Sequence, residues 1–331
     1  MGPGWGAGFS HDVLIHDSDN QLLDTVVPFL QAGMEAGESA VVCCTPSTTA
    51  LLQDELGPDP RVSFLDYEST YSTPIAAIAA YQEIADNYVA AGAHHVRVIG
   101  EATSEGCVDD RVDWARYEAV ANRALEKYPL SAICTYDKRV LSPDVLAYGR
   151  LTHPTLVDRV RRRPNPDFVD PADFLRHTAR THPEPEELSD PDLEVTPLRS
   201  LEDLRTRIEE CLLRTTHMTQ EAADLLLAVN ELATNAVRHG APPVSVRLWV
   251  GSDRLVCTVT DHGDGVSDPF AGYVWPGAHG HMPVRGMGLW VARRLCDRLD
   301  LVRGPAGFTV RLVIERGHTT PHPSRHPTIR D

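Results

Sequence analysis

Short apolar runs alternate with amphipathic stretches throughout the first half of the chain. The apolar runs have the composition of buried strands and lie at residues 11–16, 39–44, 61–67, 94–100 and 131–137. The stretches between them have helical periodicity and lie near residues 20–36, 47–56, 74–91 and 112–128. Strands and helices in this order form a parallel sheet with helices on both faces. The first half is therefore predicted to be a doubly wound α/β domain.

Sheets of this kind bind ligands at the carboxyl ends of their strands. Those ends carry polar side chains, namely His16, Asp17, Thr45, Asp66, Tyr67, Glu101, Tyr136 and Asp137. The loop HDSDNQLL after the first strand has two acidic residues and no glycine or lysine, so a phosphate site is not expected there. Two interpretations stay open, a small-molecule sensor pocket and solvated strand ends. Neither the pair His94-His95 nor the pair His11 and His16 has a spacing that indicates a metal site.

Length and charge limit the classes of protein to which the chain can belong. Its 331 residues, 42% of them hydrophobic, suffice for two globular domains. A net charge of −16 argues against direct binding of nucleic acid. No apolar run reaches the roughly 18 residues of a membrane span, and the first residues, MGPGWGAGFSHD, lack the features of a signal peptide. Seven cysteines without a CxxC pair indicate buried, reduced thiols. We therefore expect a cytoplasmic protein that does not span a membrane.

The regular alternation stops after residue 160. Residues 161–195 are rich in proline and charge and end in an acidic run, which predicts a solvated linker with one short helix near PADFLRHTA. This linker would separate a first domain, 1–160, from a second domain, 196–316. Residues 317–331 have the composition of a disordered tail.

One helix of the second domain has two unlike faces. It is predicted to begin after Thr219 and to end before Gly240, and it contains the stretch NELATNAVRHG. Glu231, Asn235 and His239 recur at intervals of four, so they share one face. The opposite side carries apolar residues that can pack on a sheet, namely Leu225, Leu226, Leu232, Ala236 and Val237. From this segment alone, a solvated face and a chemically active face are both open.

A hairpin and two glycine-containing segments follow this helix. The alternating stretches PVSVRLWV and RLVCTVTD predict two antiparallel strands, and GFTVRLVIE a last one. Asp261 ends the second strand on the same side as apolar residues, so it needs a hydrogen-bond partner. Glycines follow in DHGDG and at the start of the predicted helix RGMGLWVARRLCDRL. Backbone amides at such a helix start favour anions.

Three segments of the second domain occur in a recognisable order. The stretches NELATNAVRHG, DHGDG and RGMGLW together resemble the N, G1 and G2 boxes of the Bergerat ATP-binding fold, the family of gyrase, Hsp90, histidine kinases and MutL. The resemblance implies an α+β sandwich that binds ATP with Mg²⁺.

The resemblance also implies roles for residues at the phosphate end of the site. Asn235 would coordinate a Mg²⁺ ion that bridges the phosphates, and Glu231 would act as general base or orient the attacking group. Gly286 and Gly288 would hinge a lid and present amides to phosphate. Arg285 would be a further phosphate contact.

Other residues would line the adenine end. Asp261 would accept a hydrogen bond from the adenine amino group, while Gly263 and Gly265 would let the chain pass close to the nucleotide. His239 matches the NAxxH ending that is frequent in the family. The polar face of the helix would then face ATP and its metal. Because the lid, 266–286, varies between branches of the family, ATP binding with slow or absent phosphotransfer stays open.

The compact arrangement LEDLRTRIEECLL…LLLAVNELATNAVRHG resembles one branch, the RsbW-like anti-sigma-factor serine kinases, over about 196–316. Such proteins bind a sigma factor, phosphorylate a serine of a STAS-type antagonist and are commonly homodimers. A histidine kinase needs a phosphoacceptor on a dimerising helix, whereas His177 and His182 lie in proline-rich sequence. We therefore expect an ATP/Mg²⁺-dependent anti-sigma factor with serine kinase activity. A non-catalytic ATP-binding regulatory module and an atypical histidine kinase are the alternatives.

The first domain has a resemblance of its own. The stretches FLQAGMEAGESAVVCCTP, YEAVANRAL, ICTYD and LTHP resemble the MEDS domain, a RecA-like sensory module without a Walker A motif. The resemblance covers roughly 9–160. It is found in RsbA-like regulators, which pair this module with a kinase domain of the type described above. It implies a sensory role, with a small-molecule ligand of the first domain that modulates the second.

Overall fold

A computed structural model of the chain describes residues 8–103, 108–159, 161–215, 219–273 and 287–316. The chain divides into two compact units, of which the first runs to His177 and the second begins at Thr178. None of the described helices combines the length and the apolar character that crossing a bilayer requires. The predicted tail and residues 274–286 of the predicted lid lie outside the described residues.

The first unit is built on one mixed sheet. Its strands are β1 (Ser10–His16), β2 (Ser39–Cys43), β3 (Val62–Phe64), β4 (Val96–Glu101), β5 (Leu130–Asp137), β6 (Thr155–Asp158) and β7 (Arg161–Pro164). Its helices are α1 (Asp19–Glu35), α2 (Pro46–Leu56), α3 (Tyr67–Thr70), α4 (Pro74–Ala90), α5 (Val108–Ala124), α6 (Pro143–Thr152) and α7 (Pro171–His177). The strand order is β3-β2-β4-β5-β1-β6-β7, and all neighbours are parallel except β6 and β7.

Both faces of this sheet are buried. On β1, Leu14 packs in a cluster with Leu22 and Leu30 of α1, while the preceding residue, Val13, packs on the other face with Tyr136. Strands covered on both sides are apolar at consecutive positions, which explains why their runs were visible in the sequence. The five predicted strands, the four predicted helices and the α/β class are confirmed. The RecA-like assignment stays a prediction.

The second unit has a separate antiparallel sheet covered by helices on one face. Its elements are a 3₁₀ helix (Pro185–Leu188), β8 (Leu193–Val195), α8 (Leu201–Thr215), α9 (Gln220–His239), β9 (Ser245–Val250), β10 (Arg254–Asp261), α10 (Met287–Leu295), β11 (Arg298–Gly304) and β12 (Gly307–Glu315). The strand order is β11-β12-β10-β9-β8. Residues of α8, α9 and α10 form one apolar core with the sheet. This architecture confirms the predicted α+β class.

The segment predicted as a linker, 161–195, contains regular structure in both units. The short helix expected near its middle is present as α7, but β7 extends the first sheet and β8 extends the second. The sequence did not indicate these two strands because strands of three or four residues give no usable periodicity. In addition, the sequence RRRP of β7 is not typical of a strand.

The acidic run of this segment was expected to be solvated. In the structure, several of its carboxylates instead form ion pairs with arginines of the second sheet. Glu187 forms an ion pair with Arg311, which is 4% exposed, and Glu184 forms one with Arg298. Glu184 also lies 3.4 Å from Arg254. Because a buried guanidinium is costly without a partner, these carboxylates stabilise the face of the sheet that bears the arginines.

The last predicted helix is shorter than its sequence indicated. Its apolar pattern continues to Leu299, yet α10 ends at Leu295 and β11 begins at Arg298. The backbone of β11 pairs with β12, from Arg298 opposite Val313 to Gly304 opposite Gly307. Tertiary pairing therefore overrides local periodicity in the residues after α10.

Candidate functional site

Helix α9 presents the predicted apolar face to the core. Leu225, Leu232 and Ala236 are buried, and Leu226 is partly buried against the same cluster. Val237 was expected on this face but is 52% exposed. One step along a helix rotates the side chain by about 100°, so Val237 lies well outside the stripe that Ala236 ends.

Helix α9 begins and ends at the predicted residues, and its polar face carries the three predicted side chains. The side chain of Thr219 accepts a backbone N–H of the first turn at 3.4 Å, and Gly240 follows the last helical residue. Glu231 and Asn235 are half-buried, whereas His239 is exposed. Among the residues that the structure describes, none of these three side chains makes a hydrogen bond or an ion pair. A carboxylate and an amide beside the core are thus available to a ligand.

Gly288 lies directly against this polar face. A β-carbon added to Gly288 would lie 2.6 Å from Nδ2 of Asn235 and 3.1 Å from Oε2 of Glu231. Only a residue without a side chain allows α10 to approach α9 so closely. The structure thereby brings together three predicted site residues from two separate segments. The other two predicted phosphate contacts, Arg285 and Gly286, lie outside the described residues.

Asp261 ends β10 and is 6% exposed. Its Oδ1 accepts the backbone N–H of Gly263 at 2.7 Å and that of Ala241 at 3.2 Å. The partner that this buried acid requires is thus supplied in part by the chain itself, which the sequence did not indicate. Within the described part of the chain, Oδ2 makes no hydrogen bond. This second oxygen can accept one from a ligand.

Two glycines near Asp261 are required by close packing. A β-carbon on Gly240 would overlap the Asp261 carboxylate, so this residue does more than end α9. Gly265 has a φ of +61°, and a β-carbon there would overlap the ring of Phe308. The fold itself therefore requires glycine at position 265. The role of Gly265 in letting the chain pass close to a nucleotide stays a prediction.

The two parts of the site lie along one helix. Asn235 contacts α10, and Gly240, five residues later, contacts Asp261. At a rise of 1.5 Å per residue these positions are about 7.5 Å apart along the helix axis. The arrangement suits an elongated ligand with a hydrogen-bond donor at one end and an anionic, cation-binding group at the other.

A buried arginine, which the sequence did not single out, binds the first residues of the predicted lid. Arg293 of α10 is 3% exposed, and its Nε donates to the carbonyl of Ala271 at 3.1 Å. Its Nη1 donates to the carbonyl of Leu299 at 2.9 Å, and its guanidinium carbon lies 3.9 Å from the ring centroid of Tyr273. The first residues of the predicted lid are thereby anchored to the helix that carries Gly288.

In the first unit, some of the predicted strand-end side chains contact one another. The Glu101 carboxylate accepts the backbone N–H of Thr45 at 2.8 Å and the hydroxyls of Thr45 and Thr48, each at 2.9 Å. The Tyr67 hydroxyl donates to the Glu101 carbonyl at 3.3 Å. These groups are satisfied by each other. The small-molecule pocket at this edge stays a prediction.

Two family models match the chain. Residues 10–154 match the family described as MEDS, the MEthanogen/methylotroph, DcmR Sensory domain. Residues 195–314 match the family described as histidine kinase-like ATPase domain. No curated protein matches the chain.

Two solved structures are similar to part of the chain. The RsbU and RsbW domains of Rv1364c from Mycobacterium tuberculosis share 21% identity over 37% of this chain and 31% of that chain, with a TM-score of 0.27. The mycobacterial sensor histidine kinase MprB shares 19% identity over 37% of this chain and 96% of that chain, with a TM-score of 0.25. The chain spans less than a third of the first of these structures. The family matches, by contrast, coincide with the two units, and the chain therefore carries a MEDS domain followed by a histidine kinase-like ATPase domain.

Proposed function

We propose that the protein is an ATP/Mg²⁺-dependent anti-sigma factor with serine kinase activity, modulated by its MEDS domain. The observation that carries the proposal is the contact of Gly288 with Asn235 and Glu231, on the same helix that ends beside Asp261. The match to a histidine kinase-like ATPase domain supports nucleotide binding. The choice of branch rests on the resemblance of the second domain to RsbW-like kinases.

The adenine base would bind at Asp261. Its Oδ2 would accept a hydrogen bond from the adenine amino group, while Oδ1 keeps its bonds to the amides of Gly263 and Ala241. These two bonds fix the orientation of the carboxylate before a nucleotide arrives. A donor in the ligand is favoured because the Asp261 residue is almost buried and only one of its two carboxylate oxygens has protein partners.

The phosphates would lie between α9 and α10. The amide oxygen of Asn235 and the carboxylate of Glu231 are ligands of the kind that Mg²⁺ prefers, so the residues present fit this ion. Asn235 would hold it, and the bound ion would neutralise charge on the phosphates. Backbone N–H groups in the first turn of α10, next to Gly288, favour an anion at the same place.

Glu231 would accept the proton in the transfer step. The hydroxyl oxygen of a substrate serine forms a bond to the γ-phosphorus, and its proton passes to the Glu231 carboxylate. The bond between the γ-phosphorus and the bridging oxygen breaks, and ADP leaves. Proton transfer to a positioned carboxylate contributes about 10² to 10⁴ in rate.

The proposed partners follow from the same resemblance. They are a sigma factor and a STAS-type antagonist that carries the substrate serine, with a homodimer as the expected assembly. A small molecule bound by the MEDS domain would modulate the second domain. Because sigma factors act in the cytoplasm, we expect the protein to act there.

The test uses the full chain and two glutamates of α9. The purified protein captures partners from the native lysate with and without Mg-ATP, with Asn235→Ala as the nucleotide-site control. Any captured STAS protein then serves as substrate for the wild type, Glu231→Gln and Glu221→Gln, where Glu221 lies near the start of the same helix. We expect Glu231→Gln to lose at least about 10²-fold in phosphoserine formation and to keep ATP binding, while Glu221→Gln keeps both.

The other outcomes identify the alternatives. Nucleotide-dependent capture without phosphoserine would indicate a non-catalytic module. Acid-labile phosphate on a histidine would indicate an atypical histidine kinase. Absence of any sigma factor or STAS protein from the nucleotide-dependent fraction would overturn the proposal.

A further inference from the structure

Four side chains with metal-binding atoms converge in the MEDS domain. They are His11 on β1, Glu118 on α5, Cys134 on β5 and His153, which follows α6. One ligand atom from each lies within 4.8 Å of the ligand atoms of the other three. His11 and His153 are buried, and Glu118 and Cys134 are half-buried. None of them belongs to the nucleotide site, which lies in the other unit.

The hydrogen bonds of Asn122 determine which nitrogen of His11 faces this cluster. Its Nδ2 donates to the carbonyls of Glu118 at 3.0 Å and Thr152 at 2.8 Å, so its Oδ1 is the atom that faces Nδ1 of His11, at 3.2 Å. That oxygen only accepts, and Nδ1 of His11 therefore carries the hydrogen. In the neutral ring, the lone pair of Nε2 then faces the cluster.

His153 has the same arrangement. Its Nδ1 lies 2.8 Å from the carbonyl oxygen of Gly149, which can only accept, so the hydrogen is on Nδ1. Nε2 belongs to a side chain with 0% exposure and has no hydrogen-bond partner among the described residues. A neutral imidazole with a buried, unpaired lone pair is in the form that binds a metal.

The remaining two ligands meet these nitrogens at suitable distances. Oε2 of Glu118 lies 3.1 Å from Nε2 of His11 and 3.5 Å from Nε2 of His153. Sγ of Cys134 lies 3.4 Å from Nε2 of His11 and 3.8 Å from Oε2 of Glu118. Tetrahedral ligands about 2.0 to 2.3 Å from a zinc ion are about 3.3 to 3.8 Å from one another. Three of these four separations lie within that range, and the 3.1 Å between Glu118 and His11 lies just below it.

We propose that His11, Glu118, Cys134 and His153 bind one Zn²⁺ ion. Nitrogen, sulfur and carboxylate ligands suit zinc and not Mg²⁺ or Ca²⁺, which take oxygen ligands. Hydrogen bonds that orient the ligands are also present. Nδ1 of each histidine has an acceptor, and the Tyr136 hydroxyl lies 3.4 Å from Oε1 of Glu118.

The coordination has a direct chemical and structural consequence. Binding converts the Cys134 thiol to a thiolate and releases its proton to solvent. Four protein ligands leave no open position, so the ion joins β1, β5 and the helical residues as a structural centre. The site would stabilise the MEDS domain.

The test is a Co²⁺ titration of the full chain after treatment with a chelator. Tetrahedral Co²⁺ absorbs in the visible range, and a thiolate ligand adds a charge-transfer band in the near ultraviolet. We expect both signals to saturate at one ion per chain and to disappear on addition of Zn²⁺. The thiolate band is the decisive signal because the chain has 15 histidines that can bind Co²⁺ without it.

Two cysteine variants make the test specific. Cys134→Ser should lose the thiolate band, while Cys43→Ser, which changes another buried cysteine of the same unit, should keep it. Asn122→Ala should weaken zinc binding by about 10- to 100-fold, because it removes the acceptor that orients His11. Bound cobalt without a thiolate band in the wild type would overturn the proposal, as would a band that survives in Cys134→Ser. The wild-type titration decides the question even if a variant fails to fold.

Discussion

Arg162 binds both carboxylate oxygens of Asp12, with Nε 2.6 Å from Oδ2 and Nη2 3.0 Å from Oδ1. Asp12 lies on β1, between β5 and β6, and is completely buried. Arg162 comes from β7, in the segment whose composition indicated a linker. Burial raises the pKa of Asp12 even with this arginine beside it. The pair therefore adds a buried side-chain contact to the backbone pairing by which β7 joins β6.

Arg162→Met is expected to destabilise the MEDS domain by about 3 to 5 kcal/mol, because it leaves a buried carboxylate without its partner. The free energy of unfolding in urea, followed by circular dichroism, measures this loss. Arg163→Met is the matched control, since Arg163 is the next residue and is exposed. Equal stability of the two variants would show that the ion pair contributes nothing.

Gly288→Ala is expected to reduce ATP binding at least tenfold. The added methyl group would lie 2.6 Å from Nδ2 of Asn235 and 3.1 Å from Oε2 of Glu231, so it displaces Asn235, which is proposed to hold the metal, and narrows the space proposed for the phosphates. Isothermal titration with a non-hydrolysable ATP analogue gives the affinity. Gly304→Ala is the control, because a β-carbon on Gly304 meets nothing within 4 Å. An unchanged affinity in Gly288→Ala would place the phosphates elsewhere.

A fragment of residues 178–316 is expected to fold, and a fragment of residues 196–316 to be less stable by at least about 3 kcal/mol. The shorter fragment lacks β8 and the segment that pairs Glu187 with the buried Arg311. It also lacks the carbonyl of Ser189, which accepts the indole N–H of Trp249 at 3.0 Å. Urea unfolding of both fragments, monitored by tryptophan fluorescence, measures the difference. Coincident unfolding curves would show that the acidic segment is dispensable.

His95 is expected to make the MEDS domain less stable in mild acid. It is 5% exposed, with Nε2 2.8 Å from Oγ of Ser131, and burial lowers its pKa below the ordinary value of about 6.5. As the pH falls below about 6.5, the unfolded chain binds a proton that the folded chain does not, so the free energy of unfolding decreases. Above about pH 6.5 the neutral His95 ring makes its full contribution to the free energy of unfolding.

The variant His95→Gln isolates this effect. The stability difference between the wild type and the variant should be smaller at about pH 5.5 than at about pH 7.5. Urea titrations at the two pH values measure it. A difference that is the same at both values would show that His95 takes up its proton equally in the folded and the unfolded chain.

Much of the fold and part of the candidate site were predictable from sequence. The alternation in the first half revealed five strands and four helices because most of these strands are buried on both faces and each of these helices on one. The interval of four between Glu231 and Asn235 placed both on one face of α9, since that depends only on helical geometry. These features depend on residues that are close in sequence, so periodicity and residue type are enough to predict them.

Other features depend on residues that meet only after folding. The buried acid Asp261 was recognisable, but the amide of Ala241 that binds it lies 20 residues earlier. His11 and Cys134 are 123 residues apart, so no spacing could reveal that they share a site with Glu118 and His153. Three of these four residues lie in the segments that carry the MEDS resemblance. That shared location was the sequence signal that could have pointed to a common site. The sequence by itself determined the elements and their faces, because backbone geometry sets which side chains align. Only the tertiary structure decided which buried charges and lone pairs meet, because that depends on strand order and on pairings between distant segments.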